Sequence, residues 1–317
     1  MHILVYGAGV IGCELAHELI KAGNQVTLLA RGAWKNILDQ NGLVIRHVVQ
    51  FNTTTDHLPI IDQLKPQDFY DLIFITMQFN QIQQVLPILA ENVSPYLVFV
   101  GNNLDAEAAL KALTNDPVDK EIAFGFQGSG GRRENGKVLS VHARSGMTVG
   151  ALHGSLSSAF QNRLNEAFQG TKYRLKWEQD MDAWLKCHMA FILPIAYVCY
   201  ATDCRLQLAS RSQLNAVIDA TIEAHQMLKK LGIPIRPDGE EEYFTEGRQK
   251  CSRFLWIMAK TPLGRLVASD HCRNAVSEMT ALDQAFEELR QKADHPMPTW
   301  DLLRSLGQPR PVSQSKN

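Results

Sequence analysis

Hydrophobic and polar positions follow two periods along the chain, and the change of period divides it. His2 to Tyr6 is a short apolar run of strand type that stops at Gly7. Ile11, Leu15 and Leu19 then recur every fourth residue until Gly23 and Asn24, which predicts a helix. Gln25 to Leu29 predicts a second strand, so the chain opens on a β-α-β unit of about 30 residues, the length a crossover to a parallel strand needs. Asp71 to Thr76 and Tyr96 to Val100 read as further strands, with a helix over Asn80 to Ala90 between them. After Asn115, three short antiparallel strands are expected over Glu121 to Phe126, Lys137 to His142 and Met147 to Gly150, with Asn135-Gly136 as a hairpin turn. Ser155 to Phe168 predicts a helix and Tyr173 to Leu175 a last strand. From Glu178 onward only helical periods remain; Leu214, Val217, Ile218 and Leu228 share one stripe, closed by Gly232 and Pro234.

The expected class is therefore α/β: a Rossmann-type domain over residues 1–171, an all-helical domain over 172–307, and a mobile polar tail over 308–317. Composition agrees with two packed cores, since 45% of the 317 residues are hydrophobic. Lysine and arginine total 32 against 33 acidic residues, which leaves no basic field for nucleic acid or an anionic membrane. Cys187 to Ala201 is shorter than the roughly 20 residues that span a bilayer, and it contains His188 and Pro194, so a buried helix is expected rather than a membrane segment. Met1 is followed at once by strand and glycine turn, so no leader is expected, and a cytoplasmic setting fits six scattered cysteines without a CxxC pair.

Three features carry chemistry. Gly7-Ala8-Gly9-Val10-Ile11-Gly12 is a GxGxxG placed between a strand and a helix, where Gly7 makes the turn, Gly9 admits a pyrophosphate and Gly12 lets helix and strand pack. The second strand ends Leu28-Leu29-Ala30-Arg31 and lacks the acid that would take the ribose hydroxyls of NAD. Arg31 suits the 2′-phosphate of NADP instead, although a solvated loop arginine gives the same pattern. Lys186, followed by Met189, Ala190 and Leu193 on one helical face, is expected to project into an apolar wall and stand ready to donate a proton. A snorkelling lysine at the domain boundary is the plainer reading of that position. His188 points to the opposite face. Cys199, Asp203 and Cys204 lack a second ligand pair, so no metal is expected; Glu240-Glu241-Glu242 reads as a solvated helix start. His142, Asp270 and His271 form an acid-base group only if distant segments meet.

Together, the GAGVIG turn, the Leu-Ala-Arg-Gly after the second strand, the Gly101-Asn102-Asn103 loop, the glycine-rich hairpin through Gly150 and Trp184-Leu185-Lys186 resemble the ketopantoate reductase (2-dehydropantoate 2-reductase) family over nearly the whole chain. The resemblance implies an NADP-dependent oxidoreductase of pantothenate biosynthesis that reduces a 2-oxo acid, with a homodimer as an assembly it allows. It assigns Ala8, Val10 and Ile11 with the three glycines to the cofactor, Asn102 to cofactor and substrate, Lys186 to the catalytic acid and Glu278 to the substrate. The chain also departs from the family. Met77 stands where a cofactor-phosphate lysine is usual. Ala190 and Pro194, or Leu193 if one residue is deleted, stand where asparagines are usual, and Arg265 or Leu266 where a serine is usual. Arg265 is a substitute holder for a substrate carboxylate, or simply a surface arginine. A reductase of a less hydroxylated oxo acid and a non-catalytic NADP-binding protein are the rival readings.

Overall fold

The computed structural model describes residues 1–114 and 119–309, without the side chains of 143–145. It divides into two compact units, Met1–Met181 and Asp182–Asn317.

The N-terminal unit is built on one sheet. Its strands are β1 (His2–Tyr6), β2 (Gln25–Leu29), β3 (Leu43–His47), β4 (Asn52–Asp56), β5 (Ile60–Ile61), β6 (Leu72–Ile75), β7 (Tyr96–Val100), β8 (Glu121–Glu134), β9 (Lys137–Gly150) and β10 (Arg174–Trp177). They lie in the order β4-β3-β9-β8-β7-β6-β1-β2-β5, and β10 pairs β9. Strands β2, β1, β6 and β7 are mutually parallel and almost wholly buried, as a sheet covered on both faces requires. Helices α1 (Val10–Lys21), α2 (Gly32–Asn41), α3 (Ile82–Glu91), α4 (Ala106–Thr114) and α5 (Ser158–Ala167) belong to this unit. The chain winds from β1 outward to β2, then returns to the other side of β1 at β6. The carboxyl ends of β1 and β6 thus form the topological switch point, where open α/β sheets bind ligands.

The expected Lys137–His142 and Met147–Gly150 runs are a single strand, paired antiparallel with a β8 that also runs past Phe126 to Glu134. Asn135 and Gly136 turn the hairpin at φ 50° and 72°, the left-handed values that a two-residue turn needs. The division falls at Met181/Asp182 rather than 171/172, because β10 adds to the outer edge of β9 with Leu175 opposite Met147. The tail expected over 308–317 lies outside the described residues from 310 on.

The C-terminal unit has no strand among its described residues. Helix α6 (Met181–Ala201) is long and apolar, and its apolar window is 72% buried, as a core helix should be. Helix α7 (Arg211–Lys230) buries the predicted stripe Leu214, Val217, Ile218 and Leu228 and ends on Gly232 at φ 77°. Shorter helices α8 (Glu240–Phe244) and α9 (Arg248–Lys260) follow, then helices Val276–Gln291 and Pro298–Gly307. The last of these begins with backbone amides of Thr299 and Trp300 bound to the Glu223 carboxylate of α7 at 2.9–3.0 Å, a charge cap on orphan donors.

Asp283 ties three of these helices together. Its buried carboxylate accepts from Arg304 at 2.8 and 2.9 Å and from the Tyr197 hydroxyl at 2.7 Å. Burial alone would raise this carboxyl, but Arg304 and Tyr197 outweigh it and hold it below the usual carboxylate range. A depressed folded value means that the contribution to stability is complete above the unfolded value of about 3.9 and is lost as pH falls through the folded value. Asp283→Ala should therefore cost about 3 kcal/mol at neutral pH, and the gap between variant and parent should close in strong acid; urea unfolding at pH 7 and near pH 3 measures both.

Candidate active site

The three glycines of the first turn do three different things. Gly7 has φ 122°, and a Cβ there would lie 2.9 Å from the Thr76 carbonyl oxygen. Gly12 is required by proximity: its Cβ would fall 2.0 Å from the Gly7 carbonyl oxygen and 2.4 Å from Thr76 Oγ1. That threonine, at the end of β6, donates to the Gly7 carbonyl at 2.8 Å and fastens the turn to the switch point. Gly9 is the opposite case, since nothing lies within 4 Å of where its Cβ would be. It precedes the first turn of α1 and offers no side-chain cap, so the amides of that turn face open space with the positive end of the helix behind them. An anion such as a pyrophosphate fits that cradle.

Three further segments reach the same edge. Arg31, exposed at the start of α2, donates to the hydroxyl of the buried Tyr6 at 2.9 Å, which holds its guanidinium against the end of β1. Among the described residues no carboxylate pairs with it. Met77 follows Thr76, half-buried, and its carbonyl oxygen lies 3.6 Å from the Cβ position of Gly101, the residue after β7, at φ 151°. The two asparagines after Gly101 differ in kind. Asn103 is buried and donates to the carbonyls of Phe99 and Gly101, which makes it part of the loop. Asn102 has a buried Oδ1 without a hydrogen-bond partner. Motif reading missed a hollow at this edge lined by Phe79, Asn80, Gln83, Asn103 and Asp105; no spacing in the sequence marks it.

In the helical unit, Lys186 is half-buried and has a charged partner. Its ammonium is ion-paired with Asp182, one turn earlier on α6, at the i,i+4 spacing that lets two helical side chains meet. The apolar-wall expectation considered only the residues after the lysine and overlooked the acid before it. Ala190, Leu193 and Pro194 are all buried. His188 stacks on Trp184, and burial pushes its imidazole down to about 3, so it is neutral and no acid at physiological pH. Glu278 is buried in the first turn of helix Val276–Gln291, 3.7 Å from His271 Nε2. Asp270 is buried and pairs with Arg273; His142 belongs to the other unit and lies beside Glu14, so each member of the imagined acid-base group has another neighbour. Arg265 is exposed on the π-helical turn Arg265–Ser269. Lys186, Glu278 and Arg265 thus lie on three separate helical segments, whereas Gly7 to Gly12, Arg31, Met77 and Asn102 gather at one sheet edge.

The doubly wound sheet with a glycine turn at its switch point, followed by a helical unit, defines a two-domain protein of Rossmann type. The family model described as Ketopantoate reductase PanE/ApbA matches residues 3–154, most of the N-terminal unit. The resemblance read from the sequence is borne out. Among solved structures, the 2-dehydropantoate 2-reductase from Geobacter metallireducens GS-15 superposes with a TM-score of 0.74 at 17% identity, over 96% of this chain and 98% of that one. The PanE/ApbA family ketopantoate reductase from Ralstonia eutropha JMP134 gives 0.71 at 16% identity, over 96% and 97%. A D-mandelate dehydrogenase with NADH and anilino(oxo)acetate gives 0.71 at 15% identity, over 96% of both chains. No match is found among curated proteins. At such identities the structural likeness carries the fold alone.

The glycine geometry separates two substitutions. Gly12→Ala should destabilise the N-terminal unit by about 1 to 3 kcal/mol through overpacking on the turn. Gly9→Ala, with nothing to strike, should stay within about 0.5 kcal/mol of the parent. Thermal melts of the two variants side by side check the assignment.

Proposed function

We propose that the chain is an NADPH-dependent reductase that converts a 2-oxo acid to the 2-hydroxy acid, with chemistry like that of 2-dehydropantoate 2-reductase. The observation that carries this reading is the sheet edge itself: an open anion cradle at Gly9, Arg31 held at that edge by Tyr6 with no carboxylate paired to it among the described residues, and Asn102 with an unpartnered Oδ1 on the adjacent loop. The family match supports an oxidoreductase acting on CH-OH groups, and the D-mandelate dehydrogenase neighbour with NADH supports a nicotinamide cofactor.

In this reading the first-turn amides of α1 take the pyrophosphate, and the guanidinium fork of Arg31 takes the 2′-phosphate. Met77 brings apolar contact but no charge. The bound nicotinamide supplies a hydride to the ketone carbon. Negative charge then grows on the carbonyl oxygen and must be met by donors. The Asn102 side-chain amide supplies a hydrogen bond, and the Lys186 ammonium supplies a positive charge and the proton. Asp182 orients that ammonium between turnovers. Glu278 accepts from a substrate hydroxyl, and Arg265 offers a fork for the substrate carboxylate.

One observation favours a second substrate class. Ala190 and Pro194 have no side-chain donor, so a pocket they line gains less from a substrate hydroxyl, which is left with Glu278 as its partner. The ligand of the D-mandelate dehydrogenase neighbour, anilino(oxo)acetate, is an oxo acid with an aryl substituent. Bulky apolar 2-oxo acids should therefore compete well with ketopantoate when NADPH oxidation is followed by absorbance across a panel. A protein that binds NADPH and reduces nothing in that panel would instead be a non-catalytic NADP-binding protein.

Cofactor choice tests the sheet edge. NADPH should bind more tightly than NADH, and Arg31→Ala should remove about 1.5 to 3 kcal/mol, or roughly 10- to 150-fold in Kd, from NADPH alone. Fluorescence titration of both cofactors decides it, and equal affinities unchanged by the substitution would refute the role of Arg31.

Turnover tests the helical unit. Lys186→Ala should leave NADPH affinity intact and lower kcat by about 10² to 10⁴. Lys186→Arg should not restore the rate, since a guanidinium does not release its proton. An unchanged kcat accompanied by a lower Tm would make Lys186 structural.

A further inference from the structure

Outside the sheet edge, the N-terminal unit buries a polar cluster that the proposed reaction does not use. Glu14, two residues beyond Gly12 on α1, is 2% exposed; His47 at the end of β3 is 4% exposed and His142 on β9 is 9% exposed. The register pairs His47 with Ser140, and His142 follows Ser140 by two residues, so the two imidazoles and the serine share one sheet face. One donor atom from each of Glu14, His47 and His142 lies within 4.8 Å of the others. Glu14 is 3.0 Å from His142 Nε2 through one oxygen and 3.7 Å from His47 Nδ1 through the other. Both Glu14 oxygens and Ser140 Oγ are fully buried, and the His142 imidazole and the Ser140 hydroxyl stand beside the carboxylate.

A carboxylate buried in this way is costly unless something compensates it. Donors bound to one tetrahedral zinc at about 2.0 to 2.1 Å stand roughly 3.3 Å apart, so three donor atoms within 4.8 Å of one another need only a small inward shift to hold one ion. His47 is also oriented like a ligand: its other nitrogen, Nε2, is 2.8 Å from Thr54 Oγ1, which fixes the ring and turns Nδ1 toward Glu14. Glu18, one turn along α1, adds a second buried carboxylate.

We propose that Glu14, His47 and His142 form a binding site for a divalent cation of the zinc class, which ties α1 to β3 and β9. Two imidazoles and one carboxylate suit zinc, cobalt or nickel better than magnesium or calcium, which prefer all-oxygen shells. Its role is structural, because it is enclosed by the unit and fixes the helix that carries the glycine turn.

Cobalt(II) alone is the probe, added to the full-length, untagged chain after chelator treatment. About one cobalt per chain should bind with the intense visible bands of a low-coordinate site, and Tm should rise with it. His47→Gln and His142→Gln should each weaken binding by roughly 10- to 100-fold or more, and Thr54→Val, which leaves all three ligands in place, by about 10-fold. X-ray absorption at the cobalt edge of the parent protein requires no variant to fold: a shell of nitrogen and oxygen with two imidazoles supports the site. Sulfur ligation, absence of binding, or binding unchanged in His47→Gln/His142→Gln overturns it.

Discussion

The seat of α1 on the turn before it governs the N-terminal unit. At Gly12 the helix comes so close that one added carbon would lie 2.0 Å from the Gly7 carbonyl, and Thr76 fastens that carbonyl to the end of β6. Three consequences follow from one contact. The first-turn amides are held beside the switch point, Leu15, Ala16 and Leu19 are pressed into the sheet core, and Glu14 is carried down to the two histidines. Displacing the helix by the width of a methyl group would disturb the anion cradle, the apolar packing and the polar cluster together. Packing density is what couples them, since interiors at crystal-like density transmit strain rather than absorb it.

Local patterns were legible wherever a residue's neighbours in sequence are also its neighbours in space. The β1-α1-β2 unit, the glycine turn, the Asn135-Gly136 hairpin and the stripe of α7 are of this kind. Within residues 32–70 two elements carry no apolar period: β4 is Asn-Thr-Thr-Thr-Asp, a polar edge strand, and β5 is two residues long. The β8–β9 hairpin read as fragments because glycines interrupt it. Gly131 is there for contact, since a Cβ would stand 1.9 Å from the Leu139 carbonyl oxygen of the partner strand. At the site, Arg31 and Asn102 were legible as motif positions, but the Tyr6 hydroxyl that orients Arg31 is a cross-strand neighbour and could not be. Asp182, four residues before Lys186, was within reach of sequence reasoning by helical spacing alone. Glu14, His47 and His142 come from three elements and meet only through the sheet register.

The departures from the family pattern fall unevenly, and their distribution has a physical meaning. At the sheet edge the single change is Met77, while the glycine turn, Arg31 and Asn102 stay in place. In the helical unit the asparagine and serine positions are replaced by Ala190, Pro194 and Arg265 or Leu266, yet Lys186 and Glu278 remain. Hydride and proton delivery make the same demands on a site whatever the substrate's side group is. Hydrogen bonds to a substrate hydroxyl serve only one class of substrate, and a donor left unpaired by another would cost about 1 to 3 kcal/mol. Under the proposed reaction, a lysine without the amides is therefore the pattern expected of a reductase that acts on a different oxo acid.

The Asp182–Lys186 pair adds the last step. A lysine alone in an apolar pocket is readied by desolvation, which favours the neutral amine. An ion-paired lysine is readied by position: it presents a fixed positive charge and a donor to whichever oxygen becomes negative. The second arrangement depends on nothing in the substrate beyond its carbonyl oxygen. Under the proposed reaction such a lysine would serve an apolar oxo acid as well as a hydroxylated one, and that independence is what a site without the neighbouring amides would require of it.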